Sequence, residues 1–161
     1  MATSIQGEPR STNDVDIVAE LNSAQVQPFI TALGSDFEVD AEALLKAIAH
    51  RSSWNLFHLP SALKVDLFIT KSGPFDRSEL ERRRRIEVLP GVSLFIKSPE
   101  DSVLRKLHWF RQGGEQSDRQ WRDVVEVLRV SADAIDPAYL REWAVHLGVN
   151  DLLEKAQLKA R

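Results

Sequence analysis

Hydrophobic and polar residues alternate with a period of two in two segments of the chain, and the alternation predicts two strands. From Asn13 to Glu20, the positions Asn13, Val15, Ile17 and Ala19 share one face and Asp14, Asp16, Val18 and Glu20 the other. From Leu63 to Thr70, the apolar face holds Leu63, Val65, Leu67 and Ile69, and the opposite face holds Lys64, Asp66, Phe68 and Thr70. Shorter strands are expected over Trp54 to His58, Ile86 to Leu89 and Val92 to Ile96. The link Leu89-Pro90-Gly91-Val92 has hairpin turn chemistry.

Helical spacing takes over elsewhere. Val26, Phe29, Ile30 and Leu33 form one stripe behind Ser23 as the expected N-cap, and Gly34 ends it. Ser98-Pro99-Glu100-Asp101 places a capping hydroxyl, a proline and two carboxylates at the start of a helix carrying Val103, Leu104, Leu107 and Phe110. Ser117 to Gln120 reads as a second capping box, ahead of Trp121, Val124, Val125 and Leu128. Asp136-Pro137 opens a helix with Leu140, Trp143, Ala144 and Leu147 inward, and Asn150 starts a last one through Leu152, Leu153 and Ala156. Strands and helices alternate up to about Ser98, and only helices follow. The expected fold is α/β (α+β): a mixed, twisted sheet over residues 1–97 and a C-terminal helical bundle over 98–161 packed on it as one compact unit.

Composition narrows the chemistry. The 161 residues include no cysteine, which removes disulfides, thiolate metal sites and thiol catalysis. A net charge of −3 gives no overall attraction for nucleic acid. The longest apolar runs fall far short of the ~20 residues that cross a bilayer, and the start has no basic-then-apolar leader, so a cytoplasmic protein without membrane contact is expected. His50, His58, His108 and His146 make no metal-binding spacing, and no nucleophile-elbow or phosphate-loop string occurs. The four tryptophans read as packing residues. Arg82 to Arg85 reads first as a helix end favoured by the macrodipole, and otherwise as a phosphate-binding patch.

Asp14-Val15-Asp16 is the feature that packing leaves unexplained. Two carboxylates two residues apart on a strand face the same side and repel, unless a cation offsets them. On the opposite face Val15 and Ile17 read as core, and Asp66 repeats the acidic pattern between Val65 and Leu67. If the two strands are neighbours, three carboxylates converge, a hard-oxygen set suited to Mg²⁺ or Mn²⁺. Alone, Asp-x-Asp is unspecific, because acidic residues on an edge strand also serve to discourage pairing with other chains.

The segment Gly7-Glu8-Pro9-Arg10-Ser11-Thr12-Asn13-Asp14-Val15-Asp16-Ile17-Val18 resembles the catalytic strand of the nucleotidyltransferase-like superfamily of the DNA polymerase beta type. It is closer still to small bacterial proteins related to the abortive-infection type IV toxins. Lys64 to Ile69, Ser98 to Asp101 with Lys106-Leu107, and Arg119 to Asp123 extend the likeness from Gly7 to about Ala156. The resemblance implies Asp14 and Asp16 as paired metal ligands and Asp66 as a third ligand or as base for an acceptor hydroxyl. It implies Arg10, Thr12, Lys64, Lys106 and Arg119 as substrate contacts. Arg119 and Asp123, four apart on a helix, also read as a solvated ion pair. The family's Gly-Ser turn and its strand have no counterpart before Gly7, so either the true start lies upstream or the element is lost.

The expected function is therefore a Mg²⁺- or Mn²⁺-dependent transfer of a nucleoside monophosphate from an NTP to a hydroxyl of tRNA, another RNA or protein. A toxin–antitoxin or phage-defence setting, with an antitoxin as partner, is the corresponding biological expectation. The alternative is a catalytically impaired binding or assembly module that oligomerises through an exposed edge strand. A metal-dependent phosphodiesterase using the same acids is a third reading.

Overall fold

The computed structural model describes residues 14–160, with side chains from Val15 onward. Arg10 and Thr12 fall outside the described residues, as does the side chain of Asp14. The described chain divides into two compact units, residues 14–76 and 77–160. No helix among the described residues is long and apolar enough to cross a membrane.

The first unit is a four-stranded mixed sheet with helices against one face. Its strands are β1 (Asp14–Ala19), β2 (Phe37–Glu38), β3 (Ser53–His58) and β4 (Leu63–Ile69), in the order β1-β4-β3-β2. β1 runs parallel to β4, while β3 is antiparallel to both β4 and β2. The two-residue period sends Trp54, Leu56, Val65, Leu67 and Ile69 to one face, where they meet Val26 of α1 (Val26–Leu33) and Leu44 and Ala47 of α2 (Ala41–His50). Each large apolar side chain buried there contributes about 1.5–3 kcal/mol.

Two features of this unit depart from the sequence reading. A 3₁₀ turn, Ser23–Gln25, precedes α1, and its cap is Asn22, whose backbone N–H donates to the Gln25 side chain at 3.0 Å. Ser23 therefore lies inside the first turn. Ile17, expected in the core, is 44% exposed, whereas Val15 and Ala19 pack against the core. β1 is the outermost described strand, and an edge position leaves one of its apolar side chains half in water.

α2 and the short β2 are additions to the elements expected. Asp40 caps α2, accepting from the Ala43 N–H at 3.0 Å. Arg51 ends it in the left-handed region at φ 47°, a position where glycine is usual. Its guanidinium then donates to the Thr70 carbonyl at 3.0 Å, tying the end of α2 to the end of β4.

The second unit begins within α3 (Pro74–Glu81) and continues through a two-stranded ribbon, β5 (Arg84–Leu89) and β6 (Val92–Ile96). Four helices follow: α4 (Pro99–Gln112), α5 (Asp118–Val130), α6 (Pro137–His146) and α7 (Asn150–Ala160). Ser98, Ser117 and Asp136 cap α4, α5 and α6 through their side chains, as their sequences predict. The buried stripes Val103-Leu104-Leu107 and Val124-Val127-Leu128 join Leu140, Ala144, Leu152 and Ala156 as the apolar interior of these helices. Arg84 and Arg85 belong to β5 and not to a helix end. They pair across the ribbon with Ile96 and Phe95.

Candidate functional site

The β1–β4 register sets Asp14 opposite Lys64 and Asp16 opposite Asp66. Parallel neighbours in register present the same face, so the acidic positions of both strands lie on the side away from α1 and α2. Asp16 is exposed. Asp66, with its side chain 22% exposed, takes an ion pair from Lys64 at 2.8 Å, two residues along the same strand. Asn55 of β3 stands opposite Asp66 in the antiparallel register and is exposed. Thus strand pairing brings Asp16 beside Lys64 and Asp66 on the sheet face away from α1 and α2, exposed at Asp16 and half-buried at Lys64, Asp66 and Phe68.

Chemically the face offers carboxylate oxygens on adjacent strands and an ammonium beside one of them. The donors are all hard oxygens, which fits Mg²⁺ or Mn²⁺ and not a soft metal. Among the described residues no group of three or more acidic or histidine side chains is gathered for a metal. Asp14, the third expected ligand, enters only through its backbone register. Lys64 holds Asp66 in the meantime, and a cation has to compete with it for those oxygens.

The carboxyl ends of β1 and β4 border a separate cavity of about 500 Å³ lined by Glu20, Asn22, Arg51 and Thr70 among others. Neither Asp16 nor Asp66 lines it.

The remaining expected contacts lie in the second unit. Lys106 of α4 forms a salt bridge with Asp123 of α5 at 2.9 Å, both side chains largely buried. Asp123 thus takes its cation from a neighbouring helix. Arg119 is exposed on the first turns of α5.

A cluster of buried charge in the same unit went unforeseen. Glu79, Glu100 and Asp101 are 4%, 1% and 0% exposed. Lys97 and Arg105 hold Glu79 at 2.9 and 2.6 Å. Arg82 reaches Glu100 at 3.2 Å and lies over the Tyr139 ring at 3.8 Å. The Tyr139 hydroxyl donates to Asp101 at 2.7 Å and contacts the Ser78 hydroxyl at 2.9 Å. Burial pushes the Asp101 carboxyl above its usual range, with the Tyr139 and Ser98 hydrogen bonds pulling against it. Burial acts on Glu100 too, but the Asp136 amide, the α4 backbone, Ser98 and Arg82 together leave it below the usual value. The readable signal was two carboxylates just ahead of an apolar stripe. Its capping meaning is visible in sequence, but its burial is not.

Burial, with Asp101 alongside, raises the Tyr139 hydroxyl well above the ordinary tyrosine range. A raised folded pKa means that the neutral phenol stabilises the native state below about pH 10, and that this contribution fades as pH climbs past it. Tyr139→Phe is expected to cost about 1–3 kcal/mol at pH 7 by leaving the Asp101 oxygen unpartnered. The gap from wild type should narrow above about pH 10. Urea unfolding of both proteins at the two pH values checks it, and a gap that widens contradicts the assignment.

No protein-family model matches the chain and no curated protein sequence matches it, so the functional reading rests on the residues themselves.

Proposed function

We propose that the face of the β1–β4 pair away from α1 and α2 binds a divalent cation with a nucleoside triphosphate and transfers the nucleoside monophosphate to a hydroxyl of RNA or protein. The observation that carries this reading is the placement of Asp16 directly opposite Asp66, with Lys64 beside it, on a face left clear by α1 and α2. Asp16 and Asp66, with Asp14, would hold the cation, which when bound neutralises the phosphates and favours loss of pyrophosphate. Lys64, released from Asp66, supplies a positive charge for a phosphate oxygen. The acceptor oxygen bonds to the α-phosphorus as the bond to pyrophosphate breaks, and a carboxylate at Asp66 is the group within the face that takes the hydroxyl proton. Positioning and charge do the work, with no covalent enzyme intermediate. A cytoplasmic toxin–antitoxin or phage-defence role accompanies this reading by the resemblance alone.

A second reading, a non-catalytic assembly module of the same fold, is favoured by two observations. Lys64 already neutralises Asp66, and β1 is the outermost described strand with Ile17 exposed.

Calorimetry separates the two. Wild type titrated with MgATP and MgCTP is expected to bind at least one of them, and Asp16→Asn to weaken that binding by about tenfold or more, the weight of one charge-assisted contact. Equal binding by both proteins removes the carboxylates from the site, and no binding by wild type favours the assembly module.

A further inference from the structure

The ribbon β5–β6 exposes several large apolar side chains. Val88, Leu89, Val92, Leu94 and Phe95 are all exposed, Leu89 and Phe95 by 64% and 62%. It forms a two-stranded sheet of its own, and a lone pair of strands is marginal in water without a further strand or a covering layer. It is also basic. Arg83, Arg84 and Arg85 are exposed, and the Arg83 guanidinium lies 5.0 Å from the centre of the Phe95 ring. The one carboxylate on either strand, Glu87, accepts a hydrogen bond from the Gly91 N–H at 2.8 Å.

The complementary surface exists on the same chain. β1 and the residue after it carry Asp14, Asp16 and Glu20 with no cation among them. Asp16 and Glu20 are exposed, Ile17 is 44% exposed, and β4 is the strand's only described sheet partner. The faces agree as well. In the ribbon, Arg84, Ile86, Leu94 and Ile96 share one face, and Arg85, Glu87, Ser93 and Phe95 share the other. In β1, Val15, Ile17 and Ala19 share the core side and the acids share the opposite side. A ribbon added to the β1 edge with Ile86 and Leu94 beside Val15, Ile17 and Ala19 would set Arg85 beside the carboxylates of β1.

We propose that the β5–β6 ribbon of one copy adds to the β1 edge of a second copy, a head-to-tail contact between copies of this chain. The proposal deepens the assembly reading, on which it rests, by naming the partner and both surfaces. It uses the edge of β1 and brings Arg85 of the first copy to the rim of the second copy's Asp16–Asp66 face.

The test is the oligomeric state of the full chain by sedimentation equilibrium, at about 0.05 M and about 0.5 M salt. Wild type is expected to self-associate, and to do so about tenfold more weakly at the higher salt. Arg84→Glu with Arg85→Glu reverses the ribbon, and Ile17→Lys with Glu20→Lys reverses the β1 edge. Each variant alone is expected to be monomeric, while their mixture forms a one-to-one dimer, because one intact ribbon then meets one intact edge. Leu89→Ser with Phe95→Ser, which keeps the charges, is a second ribbon variant expected to be monomeric. Circular dichroism confirms that each is folded. A monomeric wild type at every concentration, salt-independent association, or self-association by the β1-reversed variant alone would overturn the proposal. MgATP titration of the ribbon-reversed variant reads the nucleotide site separately, and its binding should be no weaker than that of wild type, since no arginine of a neighbouring copy then stands beside the carboxylates.

Discussion

Arg82→Ala is expected to lower the stability of the second unit by about 3 kcal/mol, toward the lower end for breaking a buried ion pair. Arg82 lies 3.2 Å from Glu100 and 3.9 Å from Asp101, and both carboxylates are essentially excluded from water. Its removal leaves two buried negative charges with hydrogen bonds but without that cation. The Arg82 side chain is itself 31% exposed, so water entering its place offsets part of the loss and sets the figure at the low end. Urea unfolding followed through Trp109, Trp121 and Trp143, which all lie in this unit, measures it. A loss below about 1 kcal/mol would mean that hydrogen bonds alone sustain the carboxylates. Adding Glu100→Gln to Arg82→Ala should recover part of the loss, since an amide costs less to bury than an unpaired charge.

Leu44→Ala is expected to cost the first unit about 2–5 kcal/mol. Leu44 is 0% exposed at the centre of α2 and belongs to the same cluster as Trp54, Leu56, Val65 and Leu67. Truncating it removes apolar contact and leaves a cavity between helix and sheet. Trp54 is the one tryptophan in residues 14–76, so its emission reports this unit once Trp109, Trp121 and Trp143 are replaced by Phe in both proteins compared. The midpoint seen at Trp54 should fall. An unchanged midpoint would show that the α2 layer contributes little to holding the sheet. Such a result would also weaken the site, because α1 and α2 fix which face of β1 and β4 is left open.

The strands that carry the candidate site were the most legible part of the sequence. Alternation in Asn13 to Glu20 and Leu63 to Thr70 identifies both strands and both faces, since a period of two leaves only one amphipathic solution. It does not say which strands are neighbours, so the pairing of Asp16 with Asp66 had to come from the fold. Nor does it say how far a helical layer reaches, so the alternation alone cannot tell that Ile17 lies half in water. α2 has a faint sequence signature because alanines fill much of its inner stripe and give a weak apolar signal. The cap at Asp40 and the spacing of Leu44, Ala47 and Ile48 were its available cues. Arg84 and Arg85 misled in the other direction. Adjacent arginines beyond a helix resemble a C-terminal turn, yet cross-strand pairing with Phe95 and Ile96 decides their conformation. The caps at Ser98, Ser117 and Asp136 were readable because capping is local. The burial of Glu100 and Asp101 depends on Arg82 and Tyr139, which lie at other places along the chain.

The parallel pairing of β1 with β4 also bears on how the chain acquires its shape. The hairpin β3–β4 closes over the short link Leu59 to Ala62 and can form early, whereas β1 must wait until α1, β2, α2 and β3 have been threaded between it and its partner. Closing so long a loop carries the greater entropic cost and comes late in a search dominated by local contacts. The acidic positions of the two strands are then among the last parts of the first unit to meet, so a chain caught short of that step would hold most of its secondary structure and none of its proposed chemistry.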